Sequence, residues 1–336
     1  MIRLGVDATP LQKISGGIGF YLFDILTSLI QQRRDIFFIL YCVKNEGELA
    51  EFSKSKNVQI QEVRCMSKYH AIWTQTGLAR QVWKDDLDYF WGITQFIPLI
   101  KRNKLSTILT IHDFVYKLCP ETMNFSKQLF MKILTPFFVS QSDFIFCISE
   151  GTKEKLKNFY KKKCADIINP PIKTMISHKS KEECSKIIES FGLEYKKFLL
   201  TVGSIEPRKN ISTLLDFYEN ILSHHKIEDV LPLVIVGGGG WKNDEILNKI
   251  QKMKTKYPNH IKVLGFVPDD KISFLYSSAK YFILFSKYEG YGMPLAEART
   301  CQTHVICFDQ KEMREASEDD GIFLPESGFE NILEPL

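Results

Sequence analysis

The sequence predicts an α/β protein of two Rossmann-like domains, each built on a parallel sheet. Three observations carry this expectation. Short apolar runs alternate with longer amphipathic stretches through both halves of the chain, the pattern of β-α-β units. The 336 residues suffice for two domains that each bury a core. Two adjacent prolines, Pro170-Pro171, interrupt regular structure inside a stretch, 169–178, that no periodic pattern crosses. The expected domains are 1–172 and 173–336.

In the front half, strands are expected at 2–7, 35–43, 107–111 and 143–148, each a short apolar run. A long helix beginning near Ile18 follows the first strand, and helices over 72–84, 126–140 and 150–160 fill the longer intervals. In the back half, Phe198-Leu199-Leu200-Thr201-Val202-Gly203 reads as a buried strand running into a polar loop, with a helix from Ile211 to Leu222 behind it. Leu233 to Val236 is a strand that meets four glycines, 237–240, and further strands are expected at 261–265, 281–285 and 304–308.

Composition narrows the class. Lys and Arg number 44 against 40 Asp and Glu, and 44% of residues are hydrophobic, which excludes disordered, collagen-like and disulfide-scaffold proteins. The net charge of +4 hides an asymmetry: residues 1–172 hold 23 basic and 16 acidic side chains (+7), residues 173–336 hold 21 and 24 (−3). The eight cysteines show no Cys-x-x-Cys spacing and most lie in apolar strings, as expected of reduced thiols in a cytoplasmic protein with neither zinc nor disulfide frame. No apolar run is long enough to span a bilayer, so membrane contact is expected to be peripheral. No RNA- or DNA-binding motif accompanies the basic residues.

Four clusters can carry chemistry. Gly16-Gly17-Ile18-Gly19 follows the first strand and opens a helix, and reads equally as a plain turn or as an anion loop. Thr110-Ile111-His112-Asp113 ends a strand where open α/β sheets place ligands; the His-Asp pair can bind sugar hydroxyls, move a proton, or serve structure alone. Gly203-Ser204-Ile205-Glu206-Pro207-Arg208-Lys209-Asn210 aims a guanidinium and an ammonium near a helix start, which suits a diphosphate better than a solvated turn. In Ser286 to Ala298, Pro294 marks a helix start that places Glu297 in the first turn and Glu289 in the glycine loop before it. Two carboxylates flanking exposed amides fit a nucleotide-sugar. The acidic turn Asp85-Asp86-Leu87-Asp88 reads as a solvated face rather than a metal-binding Asp-x-Asp, and the remaining histidines, His70 among them, as surface or packing residues.

In this order the motifs resemble the retaining GT-B-fold glycosyltransferases of group 1, also called family 4. They run from the Gly-rich loop at 16–19 through Thr-Ile-His-Asp at 110–113, Ile-Ser-Glu at 148–150, Gly-x-x-x-Pro-Arg-Lys-Asn at 203–210, the glycines 237–240 and Leu-Gly-Phe-Val at 264–267 to Glu-x7-Glu at 289–297. Asp7-Ala8, Gly17-Ile18-Gly19 and Thr-Ile-His-Asp-Phe followed by Pro120-Glu121 look most like bacterial mannosyl- and rhamnosyl-type transferases of surface-polysaccharide assembly, O-antigen or capsule.

The resemblance implies two domains facing across a cleft, the first holding the acceptor and the second the donor. Arg208 and Lys209 would bind the donor diphosphate, Glu289 and His112 the transferred sugar, and Glu297 the ribose. Gly17, Gly203 and the Gly290, Tyr291, Gly292 and Met293 segment would line the donor, with His112 and Asp113 on the acceptor side. It further implies no metal and no cofactor, a nucleotide-diphosphate sugar with GDP-mannose first in order, a glycan or lipid-linked acceptor, and a cytoplasmic place on the inner face of the plasma membrane. The basic patches Lys101-Arg102-Asn103-Lys104 and Lys161-Lys162-Lys163 would then face anionic lipid.

Two departures stand out. Cys301-Gln302-Thr303-His304 replaces the family's Cys-Gly-x-Pro, and the sequence stops at Leu336, where the family continues into helices that cross back onto the first domain; their lack here is an expectation. Two other classes compete. A nicotinamide oxidoreductase lacks its Gly-x-Gly-x-x-Gly fingerprint here, and an inactive nucleotide-sugar-binding partner subunit leaves the Arg-Lys and Glu pairs without a purpose.

Overall fold

The computed structural model describes residues 1–14, 16–64 and 70–328, so Ser15, residues 65–69 and the tail 329–336 lie outside the described residues. The chain divides into two compact units, one of Met1–Tyr116 with Phe125–Pro171, the other of Lys117–Asn124 with Ile172–Leu336.

The first unit is a seven-stranded parallel sheet of β1 (Ile2–Asp7), β2 (Ile36–Cys42), β3 (Val58–Glu62), β4 (Tyr89–Gly92), β5 (Ser106–Ile111), β6 (Phe144–Cys147) and β7 (Asp166–Ile167). Its order is β3-β2-β1-β4-β5-β6-β7. The second is a six-stranded parallel sheet of β8 (Leu199–Val202), β9 (Leu233–Val236), β10 (Ile261–Gly265), β11 (Tyr281–Leu284), β12 (His304–Phe308) and β13 (Ile322–Leu324), ordered β10-β9-β8-β11-β12-β13. Strands of parallel sheets are covered on both faces and therefore read as unbroken apolar runs. β2 (IFFILYC) and β9 (LVIV) do so, and β9 is buried throughout.

The two-domain α/β architecture follows the sequence expectation, but four strands escape it. β3, VQIQE, is an edge strand that mixes polar with apolar residues and stays half-exposed, so it never forms an apolar run. β7 and β13 are edge strands of two and three residues. β4 is central, but its Tyr-Phe-Trp-Gly emerges from the acidic turn and ends in a glycine. The helices Gly17–Gln32, Phe125–Gln141, Glu150–Tyr160 and Ile211–His224 lie where expected. The helical stretch after His70 winds as a π-helix over Thr74–Leu78. The proline-interrupted stretch 169–178 carries no regular structure, yet from Ile172 onward it is laid on the second unit. Ile176 joins that unit's core, and Lys173 pairs with Asp269 at 2.7 Å.

Both sheets turn back between their first and fourth strands, β1 beside β4 and β8 beside β11. Open α/β sheets bind ligands outside the carboxyl ends of strands at such a switch. At the second switch the backbones approach so closely that a side chain has no room. Gly237, at φ 144°, would place a Cβ 1.9 Å from the carbonyl oxygen of Gly203. Gly237→Ala is expected to destabilise the fold by about 1–3 kcal/mol through backbone strain alone, read as a lowered urea midpoint; an unchanged midpoint contradicts this packing.

Candidate active site

The loops after β8 and β11 start from adjacent strands, Leu199 opposite Tyr281 and Leu200 opposite Phe282. They bring four predicted residues of the second unit together, Gly203, Arg208, Lys209 and Glu289. Gly203, at φ 155°, carries no Cβ where one would meet the Lys209 side chain at 3.2 Å, so the lysine stem runs across the strand end. The glycines 237–240 brace the same loop from its other side. The Ile205 N–H donates to the Gly238 carbonyl and the Gly240 N–H to the Ile205 carbonyl, both at 3.0 Å. Pro207–Lys209 then make one 3₁₀ turn, and Asn210 in the left-handed region starts the helix Ile211–His224.

From β11 the chain passes through buried Phe285 and Ser286 to Glu289, whose side chain is only 10% exposed. Its Oε1 accepts from Lys209 Nζ at 2.6 Å and Ser286 Oγ at 2.7 Å, and its Oε2 from Arg208 Nη1 at 2.7 Å. Arg208 also donates to the Tyr288 carbonyl (3.2 Å) and, through Nη2, to Glu206 (2.9 Å). Burial alone pushes the Glu289 carboxyl up, but Lys209 and then Arg208 outweigh it and hold the group down at about 2. Sequence reasoning missed Glu206 and Ser286. Glu206 stands in the Arg-Lys loop itself, and that adjacency was its one available signal.

Glu297 is placed differently from the expectation. The helix Met293–Thr300 begins one residue before Pro294, so Glu297 lies in its second turn, where its carboxylate points sideways instead of capping. Oε2 accepts from the Tyr276 hydroxyl at 2.9 Å. Burial pushes its carboxyl up against that hydrogen bond, opposite to Glu289. The amide row between the two carboxylates is less open than expected: Gly290, Tyr291 and Met293 are half-buried and Gly292 is buried.

Gly17, His112 and Asp113 belong to the first unit. A Cβ on Gly16 or Gly17 would meet nothing within 4 Å, so no packing demands glycine there, whereas one on Gly19 would crowd the Pro10 carbonyl at 3.0 Å. His112 follows β5 and is buried. Its Nε2 meets the Ile93 carbonyl at 2.7 Å, an acceptor that assigns the proton to Nε2 and leaves Nδ1 to accept. Burial lowers its pKa, so the ring is neutral, and Tyr21 stands edge-on to it at 5.2 Å. Asp113 caps the Val115 N–H at 3.1 Å.

His70 packs against Trp73 and Phe96, as a packing residue would, but it also carries a charge contact. Its Nε2 lies 3.0 Å from the fully buried Asp7 carboxylate at the end of β1. Asp7 also accepts from Thr9 Oγ1 (2.7 Å) and from Thr94 Oγ1 (2.8 Å), beyond β4, so the first switch point holds an ion pair of its own. Burial opposes both charges, but their attraction prevails, lowering Asp7 and raising His70. The partner was invisible in sequence because 63 positions separate the two residues.

The acidic turn is engaged elsewhere: Asp85 accepts from Tyr41, Asp86 pairs with Lys104 and Arg102, and Asp88 accepts from the Arg3 N–H. Among the described residues no three His, Cys, Asp or Glu side chains converge to hold a metal ion.

Two such parallel α/β units define a GT-B glycosyltransferase fold. Residues 185–329 match the glycosyl transferases group 1 family, and the chain carries a domain of that family. The chain is 24% identical over 281 residues to O-antigen chain mannosyltransferase B of Escherichia coli, covering 83% of this chain and 70% of that one. It is 27% identical over 211 residues to the serotype-specific mannosyltransferase WbdA of Escherichia coli, covering 58% of this chain but 24% of that one. Among solved structures, WaaG, a glycosyltransferase involved in lipopolysaccharide biosynthesis, superposes with a TM-score of 0.71 at 14% identity over 99% of this chain and 88% of its own. Anabaena HepE, in complex with UDP and glucose, gives 0.70 at 14% identity over the same shares.

Two stability predictions follow from the two carboxylates that sit against cations. Glu289→Gln is expected to cost about 3–5 kcal/mol at pH 7 by leaving two cations short of their charge. Because the folded pKa of Glu289 is depressed, its contribution is present above the unfolded value near 4.3 and lost as pH falls toward about 2. Wild type and variant should therefore converge in urea unfolding at acid pH; a gap that persists refutes the charge pairing. His70 is raised, so its contribution is present below about 6.5 and fades as pH climbs through the folded value. His70→Ala should cost about 1–3 kcal/mol at pH 6 and less at pH 9, and an equal loss at both would exclude the ion pair.

Proposed function

We propose that the chain is a retaining hexosyltransferase of bacterial surface-polysaccharide synthesis, O-antigen or capsule, moving mannose from GDP-mannose to a glycan or lipid-linked glycan without a metal. The observation that supports this best is the convergence of Arg208, Lys209 and Glu289 at the β8/β11 switch point. Its mannosyltransferase relatives favour the sugar.

In this reading the bond from the sugar C1 to the diphosphate breaks while the acceptor oxygen bonds C1 on the same face, and the acceptor proton passes to the departing phosphate. The anion that develops is the species to stabilise. Arg208 offers a planar fork to two oxygens and Lys209 a compact charge, both already ordered by Glu289, so little side-chain freedom is lost on binding. Glu289, anionic at every working pH, then accepts from hydroxyls of the transferred sugar, and Glu297 from the ribose diol. Gly17 and the Gly290–Met293 amides supply backbone donors, and His112, neutral with Nδ1 as acceptor, takes an acceptor-side hydroxyl. A lipid-linked acceptor places the protein peripherally at the anionic inner face of the plasma membrane.

Arg208→Ala and Glu289→Ala are each expected to lower turnover at least about a hundredfold, measured as sugar transfer from GDP-mannose, with the product anomer read by NMR. Transfer near the wild-type rate by either variant sinks the site, and an inverted anomer sinks the mechanism. GDP-mannose at about 100 times its dissociation constant should add about 2.7 kcal/mol of stability; stronger stabilisation by UDP- or dTDP-sugars reassigns the donor. Donor binding without turnover across many acceptors assigns the chain to the inactive partner class.

A further inference from the structure

The helix Phe125–Gln141 is apolar on both sides. Met131, Thr135, Phe138 and Val139 face the core of the first unit. Phe125, Leu129, Ile133 and Phe137, each four residues after the last, are 76, 45, 52 and 54% exposed and form one stripe along the outer side. Phe144, just past the helix, is a further 45% exposed. Soluble proteins seldom leave so many large apolar side chains in one row unless something covers them.

Charge points to the occupant. The 17 residues of this helix include Lys127 and Lys132 and no Asp or Glu. Its carboxyl end is met by lysines: Lys162 donates to the Ser140 carbonyl at 3.2 Å, bringing the Lys161-Lys162-Lys163 run beside the stripe, and Lys101 reaches the Gln141 carbonyl at 3.5 Å. Asp143, which pairs with Lys101, is the acidic side chain at that end. Apolar residues toward one medium with lysines at the rim are what a helix lying in the headgroup layer of an anionic bilayer requires. Another copy of this chain would bring the same basic rim against itself. We infer that the outer face of Phe125–Gln141, with the lysines at its carboxyl end, is the surface by which the first unit seats on an anionic membrane. This rests on the membrane-side acceptor of the proposed function and names the surface that serves it.

Flotation of the full chain with phosphatidylcholine vesicles, with and without about a third phosphatidylglycerol, tests this. Wild type is expected to bind the anionic vesicles at least about tenfold better than the neutral ones. The triple variant L129S/I133S/F137S should lose at least about tenfold of that binding while still unfolding in one cooperative thermal transition, since none of the three is a buried core residue. K161Q/K163Q should weaken the preference for anionic lipid alone. Triple-variant binding equal to wild type overturns the proposal, as does wild-type binding to neither vesicle. A wild-type dimer that the triple variant turns into monomer gives the stripe to a second copy instead. Transfer to a water-soluble acceptor should survive in the triple variant; absence of transfer in wild type would defeat the enzymatic reading while leaving the vesicle result standing.

Discussion

Everything in the second unit's site depends on one buried carboxylate held between two cations. Burial alone works against the Glu289 carboxylate, and Arg208 and Lys209, both largely buried, supply the countercharge that outweighs it. Each loop therefore fixes the other: the loop after β8 carries the cations, the loop after β11 carries the anion, and the Lys287 N–H on the Arg208 carbonyl at 2.9 Å closes the join. The glycines serve this pairing. Gly203 gives Lys209 its track, and the run 237–240 holds the strand end that Glu206 needs in order to turn toward Arg208.

Glu289 and Glu297 sit eight positions apart, and their environments drive them in opposite directions. Cations outweigh burial at Glu289, while burial outweighs the Tyr276 hydroxyl at Glu297. One local sequence thus supplies a permanently charged carboxylate and one nearer its neutral form. Such a split matches one group to cations and the other, already hydrogen-bonded to the Tyr276 hydroxyl, to hydroxyls.

What could be read in the sequence tracks how local the signal is. β2 and β9 announce themselves because complete burial leaves an apolar run, whereas β3 and β4 do not, the one half-exposed and the other running from an acidic turn into a glycine. Arg208, Lys209, Glu289 and Glu297 stand out through their spacing within strand-loop-helix junctions. The pairing between Glu289 and the two cations spans about eighty residues and depends on β8 lying beside β11, an adjacency no local pattern encodes. Asp7 with His70 hides for the same reason. Glu297 was misplaced by a single residue, enough to move it out of the first turn, because proline marks a helix start only to within a residue.

Both switch points consist of matched charges: Arg208 and Lys209 against Glu206 and Glu289 in the second unit, His70 against Asp7 in the first. Neither presents an excess cation to solvent, so long-range attraction cannot be what selects a ligand at either. On the proposed function, an arriving diphosphate exchanges with Glu289 for the same guanidinium and ammonium, and a ligand that meets both recovers what the carboxylate gave. A site of this kind discriminates by geometry. In that proposed role, the donor diphosphate takes the place of Glu289 on both cations and leaves the carboxylate to a hydroxyl of the sugar.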